Sequence, residues 1–359
     1  MYELQRIFMP RRLIGLISAI VLGASACTDQ TPTEPSKSPS MARAAAASYV
    51  AVDLGTLNGG SSSVATAINP AGKVVGYSEV GAGTSAFRSS GFLWEKGVLI
   101  SLGSLGGNFT RALDINPKGE VVGNSSTAQG LGHAFLWKKG VMTDLGTLGG
   151  GVGSSSEATG INPAGQVVGV SSTAAGQAHA FLWQKGVMTD LGTLGGCCSQ
   201  ATDLNPAGQV VGASRTSSGD FHAFLWQKGV MTDLGTLGGT ISWAEDISPS
   251  GKVVGWSALA GGRPDGQLHA FLWENGVMTD LGTLGGSQAE AFAINPAGQV
   301  VGTVHGLGRA FVWDKGDVAY LETLGGSFSS AEGVNPAGQV VGRSQTATQE
   351  THATLWKRK

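Results

Sequence analysis

Charged residues are scarce in this chain of 359 residues. Asp, Glu, Lys and Arg make up only 13%, about half of the share usual in a soluble domain. The 23 basic and 25 acidic residues nearly cancel, for a formal net charge of -2. No excess of positive charge is available to hold a polyanion, so the composition argues against a nucleic-acid partner.

Helical periodicity and long apolar runs are also missing, whereas glycine is abundant. The chain holds 58 Gly, and apolar residues make up 41%. An apolar share of this size favours a packed core over a disordered chain. Glycine does not recur at every third position, which excludes a collagen helix. Short apolar runs between Gly, Pro and Asn predict an all-β protein.

Residues 1–27 have the pattern of a secretory signal peptide. Three arginines precede the apolar run Leu13–Leu22, which is too short to span a bilayer, and four small residues follow it. The next residue, Cys27, resembles the lipidated cysteine of a bacterial lipobox. An ordinary cleavage site with a chance cysteine is the alternative, and Met9 is a second candidate start.

Residues 28–47 are rich in Thr, Pro and Ser and have no apolar period, which predicts an extended tether. With the signal peptide and Cys27, this segment predicts an exported protein, namely an outer-membrane or cell-surface lipoprotein, or otherwise a periplasmic or secreted one. The only membrane contact expected is the lipid anchor.

From residue 48 to residue 359 one pattern recurs seven times. Its first marker is a Phe-Leu-Trp triplet or variant, whose Trp recurs every 40 to 47 residues, at Trp94, Trp137, Trp183, Trp226, Trp273, Trp313 and Trp356. Its second marker is an Asn-Pro or Ser-Pro turn, at Pro70, Pro117, Pro163, Pro206, Pro249, Pro296 and Pro336. A fixed period of this length indicates a propeller, a solenoid or another array.

Each repeat contains four strand candidates, which in repeat three are 158–162, 166–170, 179–184 and 187–192. Four strands per repeat predict a seven-bladed β-propeller. The last repeat supplies only three strands, and its missing fourth stands at the start of the region as Tyr49–Gly55. We therefore predict a ring that closes when this strand pairs with His352–Trp356. A β-solenoid is the alternative.

The repeat motifs resemble those of the HAF-type extracellular repeat family. The His-Ala-Phe triplet occurs at 133–135, 179–181, 222–224 and 269–271, together with DLGTLGG-like and NPAGQVVG-like stretches. This resemblance covers essentially all of residues 48–359. It implies an exported bacterial repeat protein and leaves its biochemical activity open.

The repeated histidine suggests a metal ligand at first sight. Equivalent positions in successive repeats are distributed around a ring, however, so they cannot converge on one ion at about 2 Å. We predict that each His bonds a neighbouring loop instead, and we predict no metal and no cofactor. The sequence also lacks an HExxH motif, a phosphate loop and a GxSxG elbow with triad partners.

Length variation between repeats falls on the loops after the second strand and on the crossings between repeats, which emerge on one rim. A variable rim usually carries binding in repeat proteins. The unusual residues on it are the candidate ligand-binding set, namely Arg88, Arg215, Asp220, Trp243, Trp256, Arg263, Asp265 and His305.

Two further groups of residues leave alternatives open. Adjacent Cys197 and Cys198 allow a vicinal disulfide in an oxidising compartment, or free thiols or an intermolecular bridge. Asp114, Asp203 and Asp246 share one repeat position, where they would cap backbone groups or hold a cation, and we favour capping.

The functional prediction is a monomeric, non-catalytic binding module that meets a glycan or a protein at the cell surface. One alternative is a propeller-type polysaccharide hydrolase or lyase, which needs convergent acid and base groups. With only four Tyr and scattered carboxylates, the sequence reveals no such set, so an enzyme is disfavoured. Another alternative is a structural envelope protein without a specific ligand.

Overall fold

The computed structural model describes residues 48–80, 88–149, 151, 153–261 and 267–359. The predicted signal peptide with Cys27, the predicted tether, and the rim candidates Arg263 and Asp265 lie outside the described residues. Within the described ranges the chain is all-β, as predicted, with 28 strands and one short 3₁₀ helix, Leu57–Gly59. None of its described helices has the length and apolar character needed to cross a membrane.

The strands are, in chain order, β1 (Tyr49–Asp53), β2 (Ser62–Ile68), β3 (Val74–Val80), β4 (Arg88–Glu95), β5 (Val98–Ser101), β6 (Gly106–Ile115), β7 (Val121–Thr127), β8 (Gly132–Lys138), β9 (Val141–Asp144), β10 (Ser156–Ile161), β11 (Val167–Ser172), β12 (Ala178–Gln184), β13 (Val187–Asp190), β14 (Gly195–Leu204), β15 (Val210–Thr216), β16 (Phe221–Gln227), β17 (Val230–Asp233), β18 (Gly238–Ile247), β19 (Val253–Leu259), β20 (Leu268–Glu274), β21 (Val277–Gly282), β22 (Gln288–Ile294), β23 (Val300–His305), β24 (Arg309–Asp314), β25 (Asp317–Tyr320), β26 (Gly325–Val334), β27 (Val340–Thr346) and β28 (Thr351–Arg358).

Antiparallel pairing groups these strands by fours. β10–β13, β14–β17, β18–β21 and β22–β25 are separate four-stranded sheets, and the other twelve strands form one sheet. Within that larger sheet, single parallel residue pairs, Ser62 with Thr351 and Ser89 with Phe109, join the antiparallel groups edge to edge. β1 pairs with β28, in register from Tyr49 opposite Arg358 to Asp53 opposite Thr354.

Local sequence explains the turns within a repeat. In repeat three the Asn162 carbonyl accepts the N–H of Gly165. Gly165 has a φ of 82°, a conformation that glycine adopts without strain. The Asn162 side-chain oxygen caps the same turn by accepting the N–H groups of Ala164 and Gln166. Lys185 and Gly186 both have positive φ, as a tight hairpin of the I′ kind requires. The four strands predicted for this repeat are present, with two ends unchanged and the others shifted by one or two residues.

The Val-Val-Gly motif is explained by the close approach of two strands. β10 bulges between Ala158 and Gly160, opposite Gly169 of β11. A Cβ atom on Gly169 would overlap the carbonyl oxygen of Glu157, so no larger residue fits without moving the backbone. The equivalent glycines of the other repeats meet the same obstacle.

Apolar clusters fill the space between consecutive sheets. Val168 and Ala180 of repeat three pack with Ala201, Val210 and Phe224 of repeat four, and half-buried Trp226 covers the same cluster. The repeated Trp therefore belongs to the packing between repeats. Its last copy, Trp356, is fully buried.

Buried amide side chains also connect consecutive repeats. The Asn of each Asn-Pro turn donates its Nδ2 hydrogen to the main-chain oxygen of the equivalent residue in the next repeat, at 3.2–3.4 Å. We call this series the asparagine ladder; its donors are Asn69, Asn116, Asn162, Asn205, Asn295 and Asn335. Its last bond runs from Asn335 to the carbonyl of Asn69, which joins the last repeat to the first. Repeat five has Ser248 at this position and supplies no amide.

The asparagine ladder predicts opposite effects of two matched substitutions. Asn162→Ser keeps a hydroxyl that caps the turn, as Ser248 does toward Lys252, but removes the donor to repeat four. We expect it to cost about 1–3 kcal/mol, the range for a lost buried hydrogen bond. Ser248→Asn should leave stability unchanged or raise it. Denaturant unfolding of both variants measures this, and an unchanged midpoint for Asn162→Ser would contradict a stabilising ladder.

Candidate functional site

The repeated histidine forms a pair with the repeated aspartate of the same sheet. His179 Nδ1 lies 2.8 Å from Asp190 Oδ2, while Asp190 Oδ1 accepts the N–H of Gly192. The same pairing occurs between His133 and Asp144, His222 and Asp233, His269 and Asp280, and His352 and Asp53. Each histidine therefore contacts an aspartate of the adjacent strand, and not a loop as predicted; that aspartate in turn caps the crossing loop that follows it. In the described part of the chain, no three His, Cys, Asp or Glu side chains come together in a way that could hold a metal ion.

The three aspartates that share one repeat position cap the backbone of the next repeat. Asp114 Oδ2 accepts the N–H of Ile161 at 2.8 Å, and Asp246 Oδ2 accepts the N–H of Ile294 at 2.8 Å. Asp203 does the same more weakly, at 3.4 Å from Ile247 N. The capping interpretation of these residues is confirmed.

The two adjacent cysteines are joined. Cys197 and Cys198 form a vicinal disulfide within β14, with Cys197 exposed and Cys198 buried. The link is therefore part of the first strand of repeat four, close to the crossing that precedes it.

Among the described candidates, Arg88, Asp220 and His305 lie at the end of the sheets from which the variable loops emerge, each in a different repeat, whereas Trp243 and Trp256 lie within β18 and β19. In repeat four the crossing that leads into β14 and the loop that follows β15 lie side by side at this end, because Gly195 at the start of β14 pairs with Thr216 at the end of β15. Arg88 begins β4 with an exposed side chain, and Asp220 accepts a hydrogen bond from the Ser218 hydroxyl. His305 lies 3.5 Å from Glu290; this contact raises the pKa of His305, and partial burial opposes the rise.

Four residues do come together, namely Arg215, Phe221, Trp243 and Trp256, which we call the aromatic row. The Arg215 guanidinium carbon lies 5.0 Å from the Phe221 ring centroid. The Phe221 and Trp243 centroids are 5.8 Å apart and tilted by 42°, and the two indoles stack at 6.0 Å with 6° between their planes. Three rings thus extend from one cation across two repeats.

Strand register explains the aromatic row. Trp243 and Trp256 are direct partners across β18 and β19, so their side chains share one face. Arg215 and Phe221 are direct partners across β15 and β16 in the preceding sheet. The sequence placed Trp243 and Trp256 on the variable rim, whereas they lie within two strands. Both are half-buried, because each indole is covered by its partner.

A buried carboxylate ends the aromatic row. The indole N–H of Trp256 donates to Glu245 Oε1 at 3.3 Å, and Glu245 is only 5% exposed. In repeats one, three and four the equivalent residue is Thr66, Thr159 or Thr202, whose hydroxyl donates to a carbonyl of the next repeat. Repeat seven also has a buried carboxylate here, Glu332, so repeat five is distinguished by its two tryptophans and by the missing ladder asparagine.

Sequence reasoning missed two members of this arrangement, Phe221 and Glu245. Phe221 precedes the His-Ala-Phe triplet at a position that holds Gly132, Ala178 or Leu268 in other repeats. Glu245 stands where three repeats have Thr. Both departures are visible when the repeats are written one above the other, so this signal was available in the sequence.

Comparison with known proteins establishes the fold class. No protein-family model and no curated protein matches the chain. Among solved structures, the chain is similar to the β-propeller domain of the trilobed protease from Pyrococcus furiosus, a propeller with an open velcro topology. That match has a TM-score of 0.57 and 10% identity over 83% of this chain and 96% of that domain. The fold is a β-propeller.

Two other solved structures show how widely this propeller fold is used. Streptogramin B lyase matches with a TM-score of 0.52 and 10% identity over 87% of this chain and 98% of the lyase. The acylaminoacyl peptidase of Pyrococcus horikoshii matches with a TM-score of 0.53 and 12% identity over 82% of this chain. The matched region spans 51% of that peptidase. At such low identity these matches establish the fold and carry no function.

Proposed function

We propose that this β-propeller is a non-catalytic binding module that takes a glycan on the aromatic row. The observation that carries the proposal is that repeat five breaks the repeat pattern there. It alone pairs two tryptophans, Trp243 and Trp256, across its first two strands, and it lacks the asparagine that links the other repeats. A residue needed for packing recurs in every repeat, whereas a binding site usually occurs once.

The chemistry of the aromatic row suits a sugar. A pyranose ring has a face of C–H groups that packs on aromatic rings, and its hydroxyl groups accept and donate hydrogen bonds at the rim of that contact. The row supplies three half-buried rings, with a cation at one end and a buried carboxylate at the other. An apolar surface with a small number of polar groups beside it is typical of ligand sites.

The proposal includes a closed ring of seven blades, with β1 as the fourth strand of the last blade. Four contacts between the two ends of the repeat region support it: the β1–β28 pairing, the His352–Asp53 pair, the bond from the Ala353 N–H to Ser63 Oγ, and the last bond of the asparagine ladder. Each of these four contacts has an equivalent contact within another repeat or between two consecutive repeats. A closed ring also leaves no open end in the stack of sheets.

A glycan array with the purified protein tests the binding proposal. Trp243→Ala combined with Trp256→Ala should abolish binding, since it removes both stacked rings. The matched control is Glu290→Ala with Thr303→Ala, the equivalent cross-strand pair in the next repeat, and it should bind as the unmodified protein does. Turnover of a bound glycan would instead make the protein an enzyme. A folded protein that binds no glycan would contradict the proposal and favour a protein partner or a structural role.

We also propose that the protein is exported and anchored by lipid on Cys27. The support is the signal-like segment, the small residues before the cysteine, the tether composition and the resemblance of the repeats to the HAF-type family. Because lipidation makes the cysteine the new N-terminus, whole-protein mass spectrometry should find a mature chain that begins at Cys27 and carries acyl mass. A chain that begins there without acyl mass would contradict the anchor.

A further inference from the structure

Three arginines in the described residues lie over aromatic rings, and they differ in how their charge is balanced. The Arg111 guanidinium carbon lies 4.4 Å from the Tyr77 ring centroid, and that of Arg343 lies 5.6 Å from the Phe328 centroid. The third is Arg215, over Phe221 in the aromatic row. All three combine a cation with an aromatic face, which is a favourable contact.

Two of these arginines have a carboxylate beside them. Arg111 Nη2 lies 3.3 Å from Glu79 Oε1, and Arg343 Nε lies 3.9 Å from Glu332 Oε1. Arg215 has no carboxylate within ion-pair distance among the described residues. The nearest acid in the sequence, Asp220, accepts a hydrogen bond from Ser218 instead.

A half-buried guanidinium without a counter-charge is a natural site for an anion. Its planar donors fit a carboxylate in a bidentate arrangement, and partial burial strengthens the attraction relative to water. Phe221 and Trp243 stand beside it as a ring surface. From this geometry we infer that the glycan on the aromatic row carries a carboxylate, as a uronic acid does, and that Arg215 binds this group. The inference rests on the proposed glycan-binding function.

The opposite end of the aromatic row sets the orientation of the ligand. Glu245 is buried there and bonded to the Trp256 indole. A ligand carboxylate placed at that end would lie beside the carboxyl group of Glu245, whereas one placed at Arg215 meets the opposite charge. The sugar whose carboxylate binds Arg215 therefore lies over Phe221 and Trp243, and the neighbouring sugar extends toward Trp256.

Paired polysaccharides of the same backbone test this inference. The probes are polygalacturonate and its fully methyl-esterified form, in which the carboxylates are uncharged esters. Binding is measured by titration calorimetry for the unmodified protein, Arg215→Gln, Arg215→Lys, the control Arg111→Gln, and the Trp243→Ala, Trp256→Ala double variant. Thermal unfolding verifies that each variant is folded.

We expect Arg215→Gln to weaken polygalacturonate binding by at least about tenfold, which is the size of one charged hydrogen bond. Its affinity for the ester should not change. Arg215→Lys should be intermediate, since it keeps the charge but loses the planar fork. Arg111→Gln, whose arginine already has a carboxylate, should bind both probes as the unmodified protein does.

Three outcomes would overturn the inference. If Arg215→Gln binds polygalacturonate normally while the double tryptophan variant does not, the aromatic row binds the glycan but its carboxylate does not contribute to the affinity. The proposed function then stands. If Arg111→Gln loses as much affinity as Arg215→Gln, the effect is one of net charge alone. If the unmodified protein binds neither probe, the inference of an acidic glycan fails. The glycan array then tests the proposed glycan-binding function separately.

Discussion

The amide of the repeated Asn-Pro turn is the contact on which the repeat architecture depends most. Apolar clusters fill the space between consecutive repeats, so a polar group buried there needs a partner. One asparagine meets this need twice. Its oxygen caps its own turn, and its nitrogen bonds the backbone of the next repeat, as Asn162 does toward Asn205. The scarcity of charged residues follows from the same geometry, since an unpaired buried charge costs far more than a buried amide.

Serine hydroxyl groups also bond the backbone of a neighbouring repeat, nearer the other end of the sheets. Ser199 Oγ accepts the N–H of Ala180 from the preceding repeat, and Ser63 accepts that of Ala353 in the same way. Repeat five has no ladder asparagine, and, like repeats two, six and seven, it has no threonine that bonds its successor. Its interface with repeat six still has the Asp246 cap and an apolar cluster. The missing asparagine and the two stacked tryptophans thus belong to the same repeat, and the tryptophans are why we place binding there.

Much of this fold was readable from the sequence because its signals are local and repeated. Asn-Pro-Ala-Gly specifies a turn, Lys-Gly specifies a hairpin, and the short last repeat indicated that Tyr49–Gly55 pairs with β28. The aromatic row was only half predictable. Trp243 and Trp256 stood out as unusual residues, but their stacking depends on register within β18 and β19. The contact between Phe221 and Trp243 depends on the packing of two different sheets. Spacing within one repeat carries no information about such a contact.

The central claim of this account is that β1 is an integral strand of a closed propeller, and amide hydrogen exchange tests it most directly. The N–H of Leu54 donates to the carbonyl of Ala353 at 2.9 Å, as the N–H of Leu191 donates to Ala180 at 2.9 Å inside repeat three. If the ring is closed, the Leu54 amide opens only with the whole propeller and exchanges within about tenfold of the Leu191 rate. A Leu54 amide that exchanges like an unprotected one, beside a protected Leu191, would contradict closure.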